Sequence, residues 1–381
     1  MIITKTFRQR LKPNRNSRVS FSKASGCSRW IFNFGLAEKI KAYEEEKRVL
    51  SYFDLNNLLP ALRKAKETLW LSEVHSQILQ QSLRDLDLAF AHFFRRVSDK
   101  KTPGYPKFKK KGVKESFRYP QGIKITDHKV YLPKVGWVRF KKTREIEGTV
   151  KQTTVIQEAG KWYVCFTCQI DVEDKVVDIR EETVLGIDVG ITKFATLATG
   201  STNQIIEIEN PQFLEKELSK YQFLCKNLSK KKLRGKNRLK ARYKLQSHMA
   251  KLKNKRKDFA HKLSTDIVKN HDIVGIEGLS IQSLLEKSKK SLSRKIADAG
   301  WRQFLGFLKY KLAHSRKVLV EASQFFASTK TCCKCNKVKT MKLSDRTYCC
   351  KCGNKIGRDI NAAINIKNIA VVYYKAVGTT V

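Results

Sequence analysis

Thr183-Val-Leu-Gly-Ile-Asp-Val-Gly-Ile-Thr-Lys-Phe-Ala-Thr-Leu-Ala198 is the stretch whose reading sets the fold of this chain. Thr183 to Ile187 and Phe194 to Ala198 are short apolar runs. Runs of this length, bounded by turn residues, read as strands. Asp188 closes the first run, and Val189-Gly190 opens a tight hairpin into the second. Gln204-Ile-Ile-Glu-Ile208 is a third run, so residues 183–210 are expected to form three consecutive strands.

Toward the C-terminus, Phe213 to about Lys269 is a long basic stretch of helical character. Its middle, Lys230-Lys-Lys-Leu-Arg-Gly-Lys-Asn-Arg-Leu-Lys240, contains no acid. With no neighbouring carboxylate to neutralise it, the expected role is a wall facing a polyanion. Next come a strand, His271-Asp-Ile-Val-Gly-Ile276, that ends at Glu277-Gly278, and a helix from Trp301 to Arg316. A strand, Lys317-Val-Leu-Val-Glu-Ala322, and a last helix opening near Asp359 complete the series.

Asp188, Glu277 and Asp359 thus stand at two strand ends and one helix start. Taken singly, such acids often cap backbone N–H groups. Taken together they are acceptor-only ligands, and two-metal phosphodiester hydrolysis needs carboxylates converging on cations ~3.5–4 Å apart. The order of three strands, helix, strand with acid, helix, strand, helix with acid is that of an RNase H-like fold. Glu321 also lies near a strand end, but the last strand of that fold carries no ligand, so it receives no role.

Of ten cysteines, six crowd into residues 332–352. Cys332-x-x-Cys335 and Cys349-x-x-Cys352, thirteen residues apart, match a closed four-thiolate structural zinc site with no open coordination position. Such turns favour a residue that tolerates positive φ after the second Cys; Gly353 fits, and Asn336 is the next-best choice. Cys333 and Cys350 are expected to be spare. Cys165 and Cys168 have metal-pair spacing, but i and i+3 on a strand face opposite ways.

In the N-terminal half, residues 1–12 alternate as a strand and residues 20–97 read as helical. One apolar face is expected from Trp30, Phe34, Leu36 and Ile40, and another from Ile78, Leu79, Leu83, Leu86, Phe90, Phe93 and Phe94. Thr102-Pro-Gly-Tyr-Pro-Lys-Phe-Lys-Lys-Lys-Gly112 is a basic linker interleaved with aromatics, which suits a nucleic-acid backbone and its bases. Residues 117–170 alternate repeatedly and predict an antiparallel β unit joined by the N-terminal strand.

Composition agrees with a nucleic-acid partner. The 381 residues carry a formal net charge of +43, spread along nearly the whole chain. A surplus that large opposes compaction unless a polyanion compensates it. The absence of an apolar run of ~18 residues argues against a membrane span, and the N-terminus lacks the features of a signal peptide. An intracellular protein is expected.

Several segments carry a resemblance: Gly186 to Leu197, Ile276-Glu-Gly-Leu279, Ser328-Thr-Lys-Thr-Cys332, Cys349-Cys-Lys-Cys-Gly353 and Arg358-Asp-Ile-Asn-Ala-Ala-Ile-Asn365. Trp70 to Val74, Gln80 to Leu86, Phe93-Phe-Arg95 and Tyr105 to Lys111 extend it through the N-terminal half. Together they resemble the TnpB (OrfB) family of insertion-sequence proteins, compact relatives of type V CRISPR nucleases.

That resemblance implies an α/β multidomain protein. An RNase H-like (RuvC) nuclease core, residues 181–328 and 355–375, would carry an inserted four-Cys zinc ribbon, residues 329–354. An N-terminal β-barrel-like wedge domain, residues 1–12 and 115–180, would carry a helical recognition lobe, residues 13–114, and residues 376–381 would be a tail. The implied activity is RNA-guided, Mg²⁺-dependent cleavage of double-stranded DNA beside a short flanking motif. Its guide would be an omega RNA from the transposon end, and the protein would be a monomer on DNA in a prokaryotic cytoplasm. Asp188, Glu277 and Asp359 would hold two Mg²⁺ ions, and Cys332, Cys335, Cys349 and Cys352 one zinc. Tyr52, Ser76 and Gln80 would read the flanking motif. Lys109, Lys110, Lys111, Lys231, Lys232 and Arg234 would touch nucleic acid.

Where the family often has Gly after the first Cys pair and Asp before the arginine, this chain has Asn336 and Gly357. Neither change removes a ligand. The rival readings are a guided DNA-binding repressor without useful cleavage, against which the intact triad argues, and a transposase that joins DNA strands.

Overall fold

The computed structural model describes residues 2–112, 115–172, 181–342 and 344–377. The chain divides into two units, Met1–Glu173 and Asp174–Val381. No helix among the described residues is long and apolar enough to cross a membrane.

The first unit begins with β1 (Ile2–Lys12), whose alternation turns Phe7 and Leu11 inward. Asn14 caps the following helix, α1 (Arg15–Glu46), by accepting the Ser17 N–H at 2.8 Å. Lys47, with φ +55°, ends it. Three short elements follow: α2 (Tyr52–Asn57), α3 (Leu59–Lys64) and a 3₁₀ segment, Lys66–Glu73. The helical span expected over 20–97 is therefore interrupted, chiefly where Ser51 and Asp54 form a capping box that starts a new helix. The long helix α4 (Ser76–Ser98) closes the helical part.

Six further strands complete this unit: β2 (Glu115–Tyr119), β3 (Lys124–Ile125), β4 (Lys129–Leu132), β5 (Gly136–Lys141), β6 (Thr149–Glu158) and β7 (Lys161–Asp171). All pairings are antiparallel, in the order β2-β6-β7-β1-β5-β4-β3, so the N-terminal strand lies mid-sheet, between β7 and β5.

One apolar core runs through helices and sheet alike. At Gly35 the missing side chain admits Leu83, Leu86 and Leu55; a Cβ there would lie 2.9–3.2 Å from their methyls. The buried stripe of α1 is Phe21, Ala24, Ile31, Phe32 and Leu36, rotated from the expected one. Trp30 and Phe34 instead stack on each other at the half-buried rim. On α4, Ile78, Leu79, Leu83 and Leu86 are buried as expected, while Phe94 stands in solvent.

The second unit opens with β8 (Val184–Val189), β9 (Lys193–Thr199) and β10 (Gln204–Glu209). Then come α5 (Leu218–Ser229) and α6 (Lys236–Asn270), β11 (Ile273–Glu277), and α7 (Ile281–Lys287), α8 (Lys290–Ala299) and α9 (Trp301–His314). β12 (Val318–Ala322), the small hairpin β13 (Thr347–Cys349) and β14 (Lys355–Gly357), and α10 (Arg358–Val377) complete it. Of the tail expected over 376–381, residues 378–381 lie outside the described residues.

Five strands form one sheet in the order β10-β9-β8-β11-β12. The first three form an antiparallel meander, and β8, β11 and β12 run parallel. β8 and β11 are buried almost end to end, as strands covered on both faces should be. Leu185, Ile187, Val274 and Ile276 face α6, α8 and α9. Val184, Ile273 and Val320 face α10.

Candidate active site and metal centre

The alternation that sorts apolar residues between the two faces also aims the acids. Gly186 and Gly275 are register partners on the α10 face. A Cβ at Gly186 would fall 2.5 Å from the Lys367 nitrogen, and one at Gly275 2.8 Å from the Ile366 carbonyl oxygen. Only glycines let the helix backbone lie this close to the sheet. Two residues farther along each strand, Asp188 and Glu277 return to that face. They follow Ile187 and Ile276, which are paired in register, so they stand side by side at the strand ends.

Helix α10 runs back along the same face, with Ala363 and Lys367 over Gly186, and so brings its first turn, with Asp359, toward the two strand-end acids. Asp188 is buried; Glu277 and Asp359 are half-buried. Burial, and then the charges of Asp359 and Glu277, hold the Asp188 carboxyl well above the ordinary carboxylate range, with Arg358 opposing them. Burial likewise raises Glu277. A group of acids arranged this way is relieved by a bound cation. Their oxygens are not all within 4.8 Å of one another, as four cysteine sulfurs are. A two-ion site permits that spread, since its ions are themselves ~3.5–4 Å apart. Glu321 is exposed and paired with Lys309 at 3.2 Å.

The sulfurs that gather are those of Cys332, Cys335, Cys350 and Cys352, all within 4.8 Å. The structure therefore corrects one expected ligand: Cys350 takes the place assigned to Cys349. The cause is strand alternation. Tyr348 of β13 points inward, its hydroxyl donating to the Lys330 and Lys337 carbonyls at 3.1 and 3.2 Å, so Cys349 points out and is exposed. Cys350 lies past the strand end, in a turn where its N–H donates to the Asn354 carbonyl at 2.8 Å. Asn336 and Gly353 adopt the expected positive φ, +58° and +85°.

The Cys332–Cys352 and Cys335–Cys350 sulfurs are 3.7 and 3.5 Å apart, and none of these four cysteines is in a disulfide. Tetrahedral coordination with Zn–S bonds of 2.3 Å implies sulfur separations of about 3.8 Å, so the donor set fits one structural zinc. Burial raises the Cys332 thiol, but N–H groups of Cys335 and Lys334 and the Asn354 amide outweigh it and bring it to about 6.

Two residues with no expected role join the cysteine turn to α10. Asn361 accepts the Cys333 N–H at 3.1 Å and donates to the Thr331 carbonyl at 2.7 Å. Asn365 donates to the Ser328 and Thr331 carbonyls, both at 2.7 Å. Both asparagines are buried. The available signal was a polar pair at i and i+4 on an otherwise apolar helix. Arg358 was quoted only as part of a motif, yet its charge reaches Asp188.

The expected nucleic-acid contacts fall in several places. In the first unit Tyr52 is half-buried, its ring under the Arg84 guanidinium at 5.0 Å and its hydroxyl on Asn56. Ser76 and Gln80 are half-buried on the first two turns of α4. Lys109, Lys110 and Lys111 are exposed; the Lys109 ammonium lies 3.6 Å from the Phe32 ring centroid. In the second unit Lys231, Lys232 and Arg234 are exposed in the turn between α5 and α6.

The second unit is thus a mixed α/β sheet protein with an acid cluster at its strand ends and a separate thiolate cluster. Comparison with known proteins supplies the family. Residues 167–288 match a family described as "Probable transposase", 301–366 a "Cas12f1-like, TNB domain", and 1–48 a "Helix-turn-helix domain". In the structure that last span is a strand and one long helix. InsQ of Escherichia coli strain K12, named as a proposed RNA-guided DNA endonuclease, is 31% identical over 94% of this chain and 90% of its own length. A Streptomyces pristinaespiralis protein with the same descriptive name is 33% identical over 96% of this chain and 89% of its own length. The fold is similar to that of Cas12f1 in its complex with guide RNA and target DNA, with a TM-score of 0.59 at 14% identity, covering 96% of this chain and 99% of that one. The chain belongs to the TnpB (OrfB) family, related to the compact type V CRISPR effectors.

Proposed function

We propose that this protein is an RNA-guided, Mg²⁺-dependent endonuclease of an insertion sequence. It cleaves double-stranded DNA beside a short flanking motif, guided by a transposon-end RNA. One observation carries the reading: strand alternation and two glycines set Asp188 and Glu277 side by side facing α10, whose first turn brings the charge of Asp359 to bear on Asp188.

The sheet order and the acid positions support an RNase H-like, RuvC-type core, residues 181–328 and 355–375, interrupted by a zinc-binding segment, residues 329–354. Residues 1–12 and 115–180 are assigned as the wedge domain and 13–114 as the recognition lobe. The three carboxylates hold the divalent ions, and Cys332, Cys335, Cys350 and Cys352 hold zinc. When bound, the divalent ions supply a water nucleophile and neutralise charge on the leaving oxygen. Asp188 offers a desolvated carboxylate whose charge the fold disfavours until a cation is present. Arg358 sets a positive charge against the Asp188 carboxylate. Asn361 and Asn365 fix the first turns of α10, and hence Asp359, against the cysteine turn. The net charge of +43 suits a partner set of guide RNA and target DNA.

The test is cleavage of a plasmid library with a fixed target and a randomised flank, with the protein co-expressed with its adjacent noncoding RNA. Depletion of particular flanks that disappears with Asp188→Ala is the expected result. RNA-dependent binding without depletion would replace this reading with guided repression, and recovered strand-transfer products would replace it with transposition.

A further inference from the structure

We propose that Phe325 is a stacking platform for an unpaired base of the DNA strand held at the carboxylate cluster. The proposal rests on the nuclease reading and adds to it a residue that grips substrate. Phe325 is 85% exposed, the highest value of any large hydrophobic side chain among the described residues.

Its pedestal is built from both sides. Upstream, Ala322 is the register partner of Glu277 on β12, and the Gly278 N–H donates to the Ala322 carbonyl at 3.0 Å. A Cβ on Gly278 would lie 3.4 Å from the Gln324 nitrogen, so the loop carrying Phe325 passes directly beside the exit of the Glu277 strand. Downstream, Ser328 is buried, and its carbonyl accepts from Asn365 at 2.7 Å. Between these anchors Ser323 to Phe326 make a tight turn. The Phe326 N–H donates to the Ser323 carbonyl at 2.9 Å, and the Phe325 N–H donates to the Ser323 hydroxyl at 3.3 Å. Phe325 occupies the corner of that turn.

A rigid corner that presents one bare ring has a specific use. Protein interfaces favour contiguous apolar area; here the preceding Ser323 and Gln324 are polar and exposed, and the following Phe326 and Ala327 are half-buried. A nucleobase needs only one aromatic face, and stacking tolerates any base. The loop that carries Phe325 leaves β12 at the same end of the parallel strands as Asp188 and Glu277, where open α/β sheets bind ligands. A base stacked there would hold its strand so that a neighbouring phosphate lies near the acids.

The experiment uses the full chain, single-stranded DNA carrying 2-aminopurine at successive positions, and Asp188→Ala to prevent cutting. In that background Phe325→Ala should abolish 2-aminopurine quenching at one position and weaken strand binding by about 5- to 100-fold at elevated salt. Phe325→Trp should restore both. In the cutting enzyme Phe325→Ala should raise KM with a smaller change in kcat. Melting temperature should not change, because the ring packs on little. Quenching and KM that stay unchanged in an enzyme that cuts would overturn the proposal, as would a lowered melting temperature, which would make the ring structural. Phe325-dependent quenching in a wild-type chain that never cuts would uphold the platform while removing the nuclease reading.

Discussion

The carboxylates and the thiolates of the second unit occupy one fold but are held by different means. Asp188 and Glu277 sit in paired parallel strands, where a two-residue repeat dictates the face each side chain takes. Once Gly186 and Gly275 are against α10, the acids have no choice of side. The clustered thiolates sit on turns, where no repeat operates; the alternation of β13 reaches only far enough to turn Cys349 out. Cys349 and Cys350 are adjacent, and a single residue decides which one enters the cluster. A regular element specifies its functional residues by register; a turn specifies them by local hydrogen bonds that the sequence hardly displays.

The largest expected effect tests the register side of this comparison. Asp188→Ala should lower cleavage by on the order of 10³-fold, the scale of removing one charge-stabilising group at a reacting centre. Asp188→Asn should do the same and, without divalent cations, should raise the melting temperature. The sign follows from the raised carboxyl: its contribution to stability is present at low pH and lost as pH rises through the elevated folded value. Asn stays neutral and keeps that contribution at neutral pH. An unchanged or lowered melting temperature for metal-free Asp188→Asn would mean that neither burial nor the neighbouring acids disfavour the Asp188 carboxylate.

The turn side predicts a contrast between neighbours. Metal analysis should find about one zinc per chain, lost or much weakened in Cys350→Ser and kept in Cys349→Ser. Thermal melting should follow the metal, with Cys350→Ser destabilised and Cys349→Ser near wild type. The reverse pattern would return Cys349 to the site and Cys350 to solvent.

What the sequence made legible follows the same division. The three strands around Asp188, the strand ending at Glu277 and the helix opening at Asp359 lie where periodicity puts them, because buried strands and amphipathic helices leave a repeat in the chain. The breaks between α1 and α4 were missed, since a capping box and a 3₁₀ stretch are local backbone events inside a broadly apolar region. Cys350 was missed because C-x-x-C spacing is a habit of turns and does not bind this one. Asn361 and Asn365 were missed because their partners, Ser328, Thr331 and Cys333, are some thirty residues away in sequence.

That asparagine link should produce a middling effect. Asn361→Ala strands the Cys333 N–H and part of the bonding of the Thr331 carbonyl in a buried setting, at a cost of about 1–3 kcal/mol. The melting temperature should fall while zinc stays bound, and cleavage should weaken more than zinc affinity. Loss of zinc in step with stability would instead make Asn361 a support of the thiolates alone.

The smallest effect belongs to Glu321, and it tests the register argument most directly. Glu321 lies one residue before the Glu277 partner on β12, opposite Ile276, so alternation turns it to the other face of the sheet. There it meets Lys309 of α9, and both side chains are largely in solvent, at 50% and 72% exposure. An exposed pair of this kind contributes little. Glu321→Gln should leave cleavage intact and change stability by less than about 0.5 kcal/mol. Glu277→Gln, one pleat away on the α10 face, should abolish cutting. If the two substitutions cost the same, strand register does not select the acids, and the site would have to be sought among residues on both faces of the sheet.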